Sequence, residues 1–205
     1  MIVSEMRIGI FGGTFDPPHI AHLVLAMEAH FQLKLELVLW VLTPKPPHKQ
    51  KRVITPSDLR AQMVKAATAS NSAFELSEIE INRSGPHYSI ETLRLLAERY
   101  PGAKLFFLIG EDSLRELPTW YQPDELLRIC AGLGVMRRPR EEVDLDILED
   151  RLAGIRDKIF YIDTPLLEIS STEIRKRIIQ EKPFRYYVPH GVYQLIKETG
   201  SYKTD

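Results

Sequence analysis

An alternation of two hydrophobic periods constrains this chain more than any single residue does. Short, nearly continuous apolar runs have the length and β-branched content of buried strands. They occur at 7–13 (RIGIFGG), 36–43 (ELVLWVLT), 104–110 (KLFFLIG) and 158–163 (KIFYID), and 74–81 (FELSEIEI) alternates like a strand with one wetter face. Between them the apolar residues fall three and four apart. Ile20, Leu23, Val24, Met27 and Phe31 set the first such helix, and 55–69, 89–100, 141–155, 170–180 and 190–199 follow. Strand and helix therefore alternate from start to end. That predicts an α/β fold: a Rossmann-like, doubly wound, mainly parallel sheet with helices on both faces. A chain of 205 residues suits one domain spanning 1–205 with a sizeable core.

Local signals mark the helix starts. Asp16 is expected to cap the first helix, with Pro17 or Pro18 in its first turn. Ser89 is the expected cap of the helix at 89–100, and Thr55 followed by Pro56 opens the one at 55–69. In a parallel sheet the strand-to-helix turns share one edge, where ligands bind. Three turns then meet: GGTFDPPHIAH at 12–22, Gly110 to Asp112, and Ser170 to Thr172.

Composition narrows the partners. The net charge is −1, so no overall field draws the chain to nucleic acid or an anionic membrane. The one cysteine, Cys130, excludes an internal disulfide and a Cys-rich zinc site, and its setting LLRICAGLGVM reads as a buried, inert thiol. The N-terminus meets charge too early for a signal peptide, and the apolar stretch at 35–42 falls far short of the roughly 18–20 residues of a span. A cytoplasmic protein is expected. Its oligomeric state is left open, a homo-oligomer included.

Each turn supports a bland and a chemical reading. Gly12 and Gly13 make a tight connection, or they let a phosphate approach backbone N–H groups at a helix start. Their spacing matches neither the dinucleotide nor the Walker fingerprint, which counts against a dehydrogenase and a P-loop ATPase. His19 and His22, three apart, share a helix face and can both donate to phosphate oxygens. The plainer account is a cap and a half-buried histidine, and a metal pair lacks the glutamate of H-E-x-x-H. His48, Lys49, Lys51 and Arg52 read as a solvated charge run or as cations over a polyphosphate. Ser170, Ser171 and Thr172 with Arg175 one turn on make a good anion site, although an ordinary N-cap accounts for one of those hydroxyls.

Together these segments resemble the nucleotidyltransferase superfamily whose signature includes H-x-G-H, and within it the bacterial nicotinate-nucleotide adenylyltransferases. The family's opening pattern G-G-[ST]-F-D-P-x-H-x-G-H is matched over 12–22 except at Ala21, where the family carries glycine, and I-S-S-T-x-I-R is met in full over 169–175. PPHK (46–49), HYSIETL (87–93), LIGED (108–112), LPTWY (117–121) and YYVPHGV (186–192) also fit, so the likeness spans almost the whole chain.

The resemblance implies adenylyl transfer from ATP to nicotinate mononucleotide, with Mg²⁺ bridging ATP oxygens. It implies that His19, His22, Lys49 and Arg175 stabilise the transferred phosphoryl group. Gly12, Gly13, Thr14, Phe15, Gly110, Asp112, Ser170, Ser171 and Thr172 would lie against ATP, and Tyr88, Ser89, Trp120 and Tyr121 against the pyridine nucleotide. The acceptor's phosphate is itself the nucleophile, so none is required of the protein. Three rivals share parts of the pattern. A phosphopantetheine adenylyltransferase usually has threonine where His19 stands. A cytidylyltransferase fits LPTW and HYSIETL poorly. A non-catalytic nucleotide-binding regulator has little use for His19, His22 and Arg175 together.

Overall fold

A computed structural model describes residues 5–44, 54–137, 143–165 and 167–203. Six strands form one sheet: β1 (Arg7–Gly13), β2 (Leu37–Leu42), β3 (Phe74–Ser77), β4 (Lys104–Gly110), β5 (Gly132–Met136) and β6 (Ile159–Ile162). Their order is β3-β2-β1-β4-β5-β6 and every pairing is parallel. The strand order reverses between β1 and β4, which is the topological switch point of a doubly wound sheet. The helices are α1 (Ile20–Gln32), α2 (Ser57–Thr68), α3 (Ser89–Arg99), α4 (Glu111–Glu116), α5 (Pro123–Ile129), α6 (Leu145–Arg151), α7 (Ser171–Ile179) and α8 (His190–Thr199).

The continuous apolar runs have the burial that a two-sided sheet requires. Alternate side chains of β2 and β4 enter opposite cores. Leu39, Val41, Leu105 and Phe107 pack with Ile90 and Leu93 of α3, Leu126 of α5 and Leu148 of α6. Val38, Trp40, Phe106 and Leu108 pack on the other face with Leu25, Ala26 and Ala29 of α1 and Val64 of α2. A third cluster forms behind α2, where Met63 and Ala67 meet Ile174 and Ile178 of α7 and Val192 and Ile196 of α8. This outer layer carries the start of α7 to the carboxyl edge of the sheet.

The structure corrects five local expectations. Asp16 does not cap α1: two successive prolines hold the chain extended, so the helix begins at Ile20 with His19 in the N-cap position. Ser89 is already the first helical residue of α3, after Tyr88, and Pro56 rather than Thr55 precedes α2. The strand at 74–81 stops at Ser77, and a turn closed by Asn82 N–H to Glu78 O follows. Finally, α5 and β5 occupy 123–136, where the sequence reading identified only an apolar stretch around Cys130. Two glycines weaken the strand signal of β5, and close packing requires both. A Cβ at Gly132 would stand 2.5 Å from the Phe160 ring, and one at Gly134 would stand 2.6 Å from Leu108 Cδ2.

Candidate active site

The carboxyl ends of β1 and β4 border a cleft of 960 Å³. It is lined by His19, His22 and Arg175, by Gly12, Gly13, Thr14 and Phe15, and by Gly110 and Asp112. Ser170, Ser171 and Thr172, and on another wall Tyr88, Ser89, Trp120 and Tyr121, complete the convergence. Lys49, with the rest of the basic segment at 45–53, lies outside the described residues.

The turn after β1 is built around Phe15. Its backbone is left-handed (φ 48°), which costs a bulky residue about 1–3 kcal/mol. Burial of the ring offsets that cost: the residue is 2% exposed, and a fully buried Phe side chain contributes about 1.5–3 kcal/mol. Phe11 meets the ring edge-on at 5.4 Å, and Trp40 lies 5.1 Å away. His22 meets Phe15 edge-on from the cleft side at 5.2 Å. An aromatic cluster thus holds Phe15 and with it the direction of the chain toward α1.

His19 and His22 stack with ring centroids 3.6 Å apart and planes 20° from parallel. The His19 backbone N–H donates to His22 Nδ1 at 3.1 Å. That bond leaves Nδ1 an acceptor, so the imidazole proton of His22 sits on Nε2. His22 Nδ1 thus binds the backbone at the start of α1, which is the plainer of the two readings of this pair.

The start of α7 is stitched to the same turn. The Ser171 hydroxyl donates to Pro17 O at 2.8 Å, and Arg175 Nη1 donates to Asp16 O at 2.5 Å. Arg175 Nη2 donates to Thr172 Oγ1 at 3.0 Å, so the guanidinium is oriented before any ligand arrives. Ser170 is the ordinary cap, accepting from Glu173 N–H at 3.2 Å. The three consecutive hydroxyls thus have three separate partners. Asp16 itself is buried and accepts from the Tyr202 hydroxyl at 2.9 Å. Burial raises the pKa of that phenol, and the Asp16 carboxylate raises it further.

The opposite wall is aromatic and polar. Tyr88 and Tyr121 stack at 4.4 Å. Trp120 lies edge-on to Phe107 at 6.0 Å while lining the cleft, so it is both core and wall. Glu80, 5% exposed, also faces the cleft and accepts from Thr92 Oγ1 of α3 at 2.5 Å. Burial raises its pKa, against the hydroxyls of Thr92 and Thr43 and the charge of Arg83. Glu80, His87 and Arg137 line the cleft without having been singled out in the sequence. Arg137 follows the unrecognised strand β5, with its guanidinium carbon 4.3 Å from the centre of the Tyr161 ring. Locating β5 would have put Arg137 at the carboxyl edge.

Cations, hydroxyls and helix-start amides against an aromatic wall suit a nucleotide polyphosphate at the switch point of a parallel sheet. The sequence model of the cytidylyltransferase-like family matches residues 10–177, and the chain belongs to that family. It groups more narrowly with the nicotinate-nucleotide adenylyltransferases. It is 40% identical to the nicotinate-nucleotide adenylyltransferase of Bacillus subtilis, covering 97% of this chain and 99% of the relative. It is 41% identical to the probable nicotinate-nucleotide adenylyltransferase of Thermomicrobium roseum, covering 97% and 92%. The fold is similar to that of Plasmodium falciparum nicotinic acid mononucleotide adenylyltransferase complexed with NaAD. That match has a TM-score of 0.80 at 20% identity, over 98% of this chain and 99% of that one.

Proposed function

We propose that this chain, acting as one nucleotidyltransferase unit over 1–205, transfers the adenylyl group of ATP to nicotinate mononucleotide. The products are nicotinate adenine dinucleotide and pyrophosphate, a step of NAD biosynthesis. The observation that carries the proposal is the stacked His19–His22 pair and the pre-oriented Arg175 in one cleft with the Ser89–Trp120 wall. In the reaction a phosphate oxygen of the mononucleotide attacks the α-phosphorus of ATP in line. The new O–P bond forms as the bond to the β-phosphate oxygen breaks, and pyrophosphate carries away the electron pair. Positioning and charge stabilisation suffice for such a transfer.

In this reading His22 Nε2–H, His19 and Arg175 hold the oxygens on which charge builds, with Lys49 as a further cation. Gly12, Gly13, Thr14 and Phe15 receive the phosphates, and Gly110, Asp112, Ser170, Ser171 and Thr172 receive the rest of ATP. Trp120, Tyr121, Tyr88 and Ser89 receive the pyridine nucleotide. Among the described residues no group of three or more His, Cys, Asp or Glu converges as a protein-held metal would need. Mg²⁺ would enter with ATP and would supply positive charge to the phosphate oxygens beside His19, His22 and Arg175. We place the reaction in the cytoplasm; among the described residues no helix is long and apolar enough to cross a membrane.

The test is pyrophosphate release from ATP with nicotinate mononucleotide, nicotinamide mononucleotide or phosphopantetheine, and from CTP with a cytidylyltransferase acceptor, each supplied singly. Release with nicotinate mononucleotide and not with the last two supports the reading. Release with none of them makes the chain a nucleotide-binding regulator.

A further inference from the structure

Arg60 lies on α2, behind the cleft rather than in its lining, and is 1% exposed. Its guanidinium donates to four backbone carbonyls. Nε reaches Thr55 O at 2.7 Å, Nη1 reaches Thr14 O at 2.7 Å and Thr43 O at 3.0 Å, and Nη2 reaches Pro44 O at 2.8 Å. Those carbonyls belong to three separate stretches: the turn after β1, the end of β2 and the approach to α2. Burial lowers the pKa of the guanidinium, and the nearby Asp16 carboxylate opposes that shift. The planar five-donor fork suits this task and a lysine ammonium does not, because carbonyls on several sides must be met at once.

The contact with Thr14 has a directional consequence. Among the described residues the cis peptides are Asp16–Pro17 and Gly85–Pro86, so the Thr14–Phe15 peptide is trans. In a planar trans peptide the carbonyl and the following N–H point in opposite directions. With Thr14 O turned onto Arg60, the Phe15 N–H points away from it. Thr14 and Phe15 line the cleft and Arg60 does not.

We propose that Arg60 is a positioning residue for ATP: by holding the carbonyls of Thr14, Thr43, Pro44 and Thr55 from behind, it aims the amide at the turn's front toward the nucleotide's phosphates. The proposal rests on the adenylyl-transfer reading. It assigns Arg60 no contact with substrate, and its signature is therefore selective: ATP affinity depends on Arg60, whereas mononucleotide affinity, set on the Ser89–Trp120 wall, does not.

Calorimetric titration of wild type and Arg60→Lys with a non-hydrolysable ATP analogue and, separately, with nicotinate mononucleotide tests this. The analogue's Kd is expected to rise about tenfold or more, the scale of losing one hydrogen bond to a charged group. The mononucleotide's Kd should change less than about twofold. Equal weakening of both ligands, as from general loosening of the fold, overturns the proposal, and so does unchanged affinity for the analogue. If Arg60→Lys does not fold, the wild-type protein carries the test through hydrogen exchange. The analogue should slow exchange at the Phe15 amide and the Arg60 guanidinium, and the mononucleotide alone should not; absence of protection by the analogue overturns the proposal. A wild-type protein that binds neither ligand overturns the adenylyl-transfer reading first, and the role of Arg60 with it.

Discussion

Gly12 and Gly13 are adjacent in sequence but should respond to alanine in opposite ways. A Cβ on Gly13 would stand 2.8 Å from Phe15 Cζ and 2.9 Å from Cε1, inside any real carbon–carbon contact. The ring cannot yield cheaply, because Phe11, Trp40 and His22 pack around it. Overpacking of this kind costs about 1–3 kcal/mol. The lost backbone freedom of the unfolded chain returns about 0.4–1 kcal/mol. A net loss of up to about 2.6 kcal/mol corresponds to a Tm up to roughly 10 °C lower for a chain of this size. At Gly12 the nearest such contact is Phe107 Cζ at 4.0 Å, so a methyl group fits and the unfolded-state gain stands nearly alone. Gly12→Ala should therefore keep or slightly raise Tm without ligand. Its methyl group stands on the cleft lining, so the stabilisation ATP supplies, about 2.7 kcal/mol at one hundred times Kd, should shrink. Differential scanning fluorimetry of both variants, with and without ATP, reads all four quantities. A Gly13→Ala protein as stable as Gly12→Ala would refute the packing argument.

Three further outcomes follow from the site. His22→Ala should lower turnover by about 10²–10³-fold, the scale of one charge-stabilising donor, while the protein stays folded; near wild-type steady-state rates would return His22 to a purely capping role. Arg175→Lys should lower kcat/KM for ATP by about ten- to a hundredfold, because one ammonium cannot bridge Asp16 O and Thr172 Oγ1 as the guanidinium does, and full activity would show that a point charge suffices. Glu80→Gln tests the buried carboxyl. Its folded pKa is raised, so its contribution to stability is present below its ordinary value of 4.5 and is lost as pH rises through the folded pKa. The Tm deficit of Glu80→Gln should therefore be largest in acid and shrink toward neutral pH, and a deficit that grows with pH would contradict the assignment.

Most of this architecture was legible because a parallel sheet buried on both faces writes its strands as continuous apolar runs. β1 and β4 were readable to the residue on that basis. What escaped is physically related. β5 carries Gly132 and Gly134, which neighbours at van der Waals limits require and which no periodicity rule counts. Arg137 escaped with it. β3 was overextended because the alternation of 74–81 continues past Ser77, while the hydrogen bond from Thr92 to Glu80 draws the chain toward α3 instead. Local pattern cannot see a partner twelve residues away in another element. The convergence of 12–22 with 169–175 was visible as motifs, but the bonds from Ser171 and Arg175 to the backbone of Pro17 and Asp16 required coordinates.

Those bonds, and the one from Tyr202 to Asp16, join positions 154, 159 and 186 residues apart. A ribosome adds about 5–20 residues per second, so roughly ten to forty seconds separate the synthesis of Asp16 from that of Tyr202. All six strands are made before Ser171, Arg175 and finally Tyr202, so the turn after β1 gains these three clasps last. An interrupted chain ending before α7 would carry both histidines and neither the Arg175 nor the Tyr202 clasp.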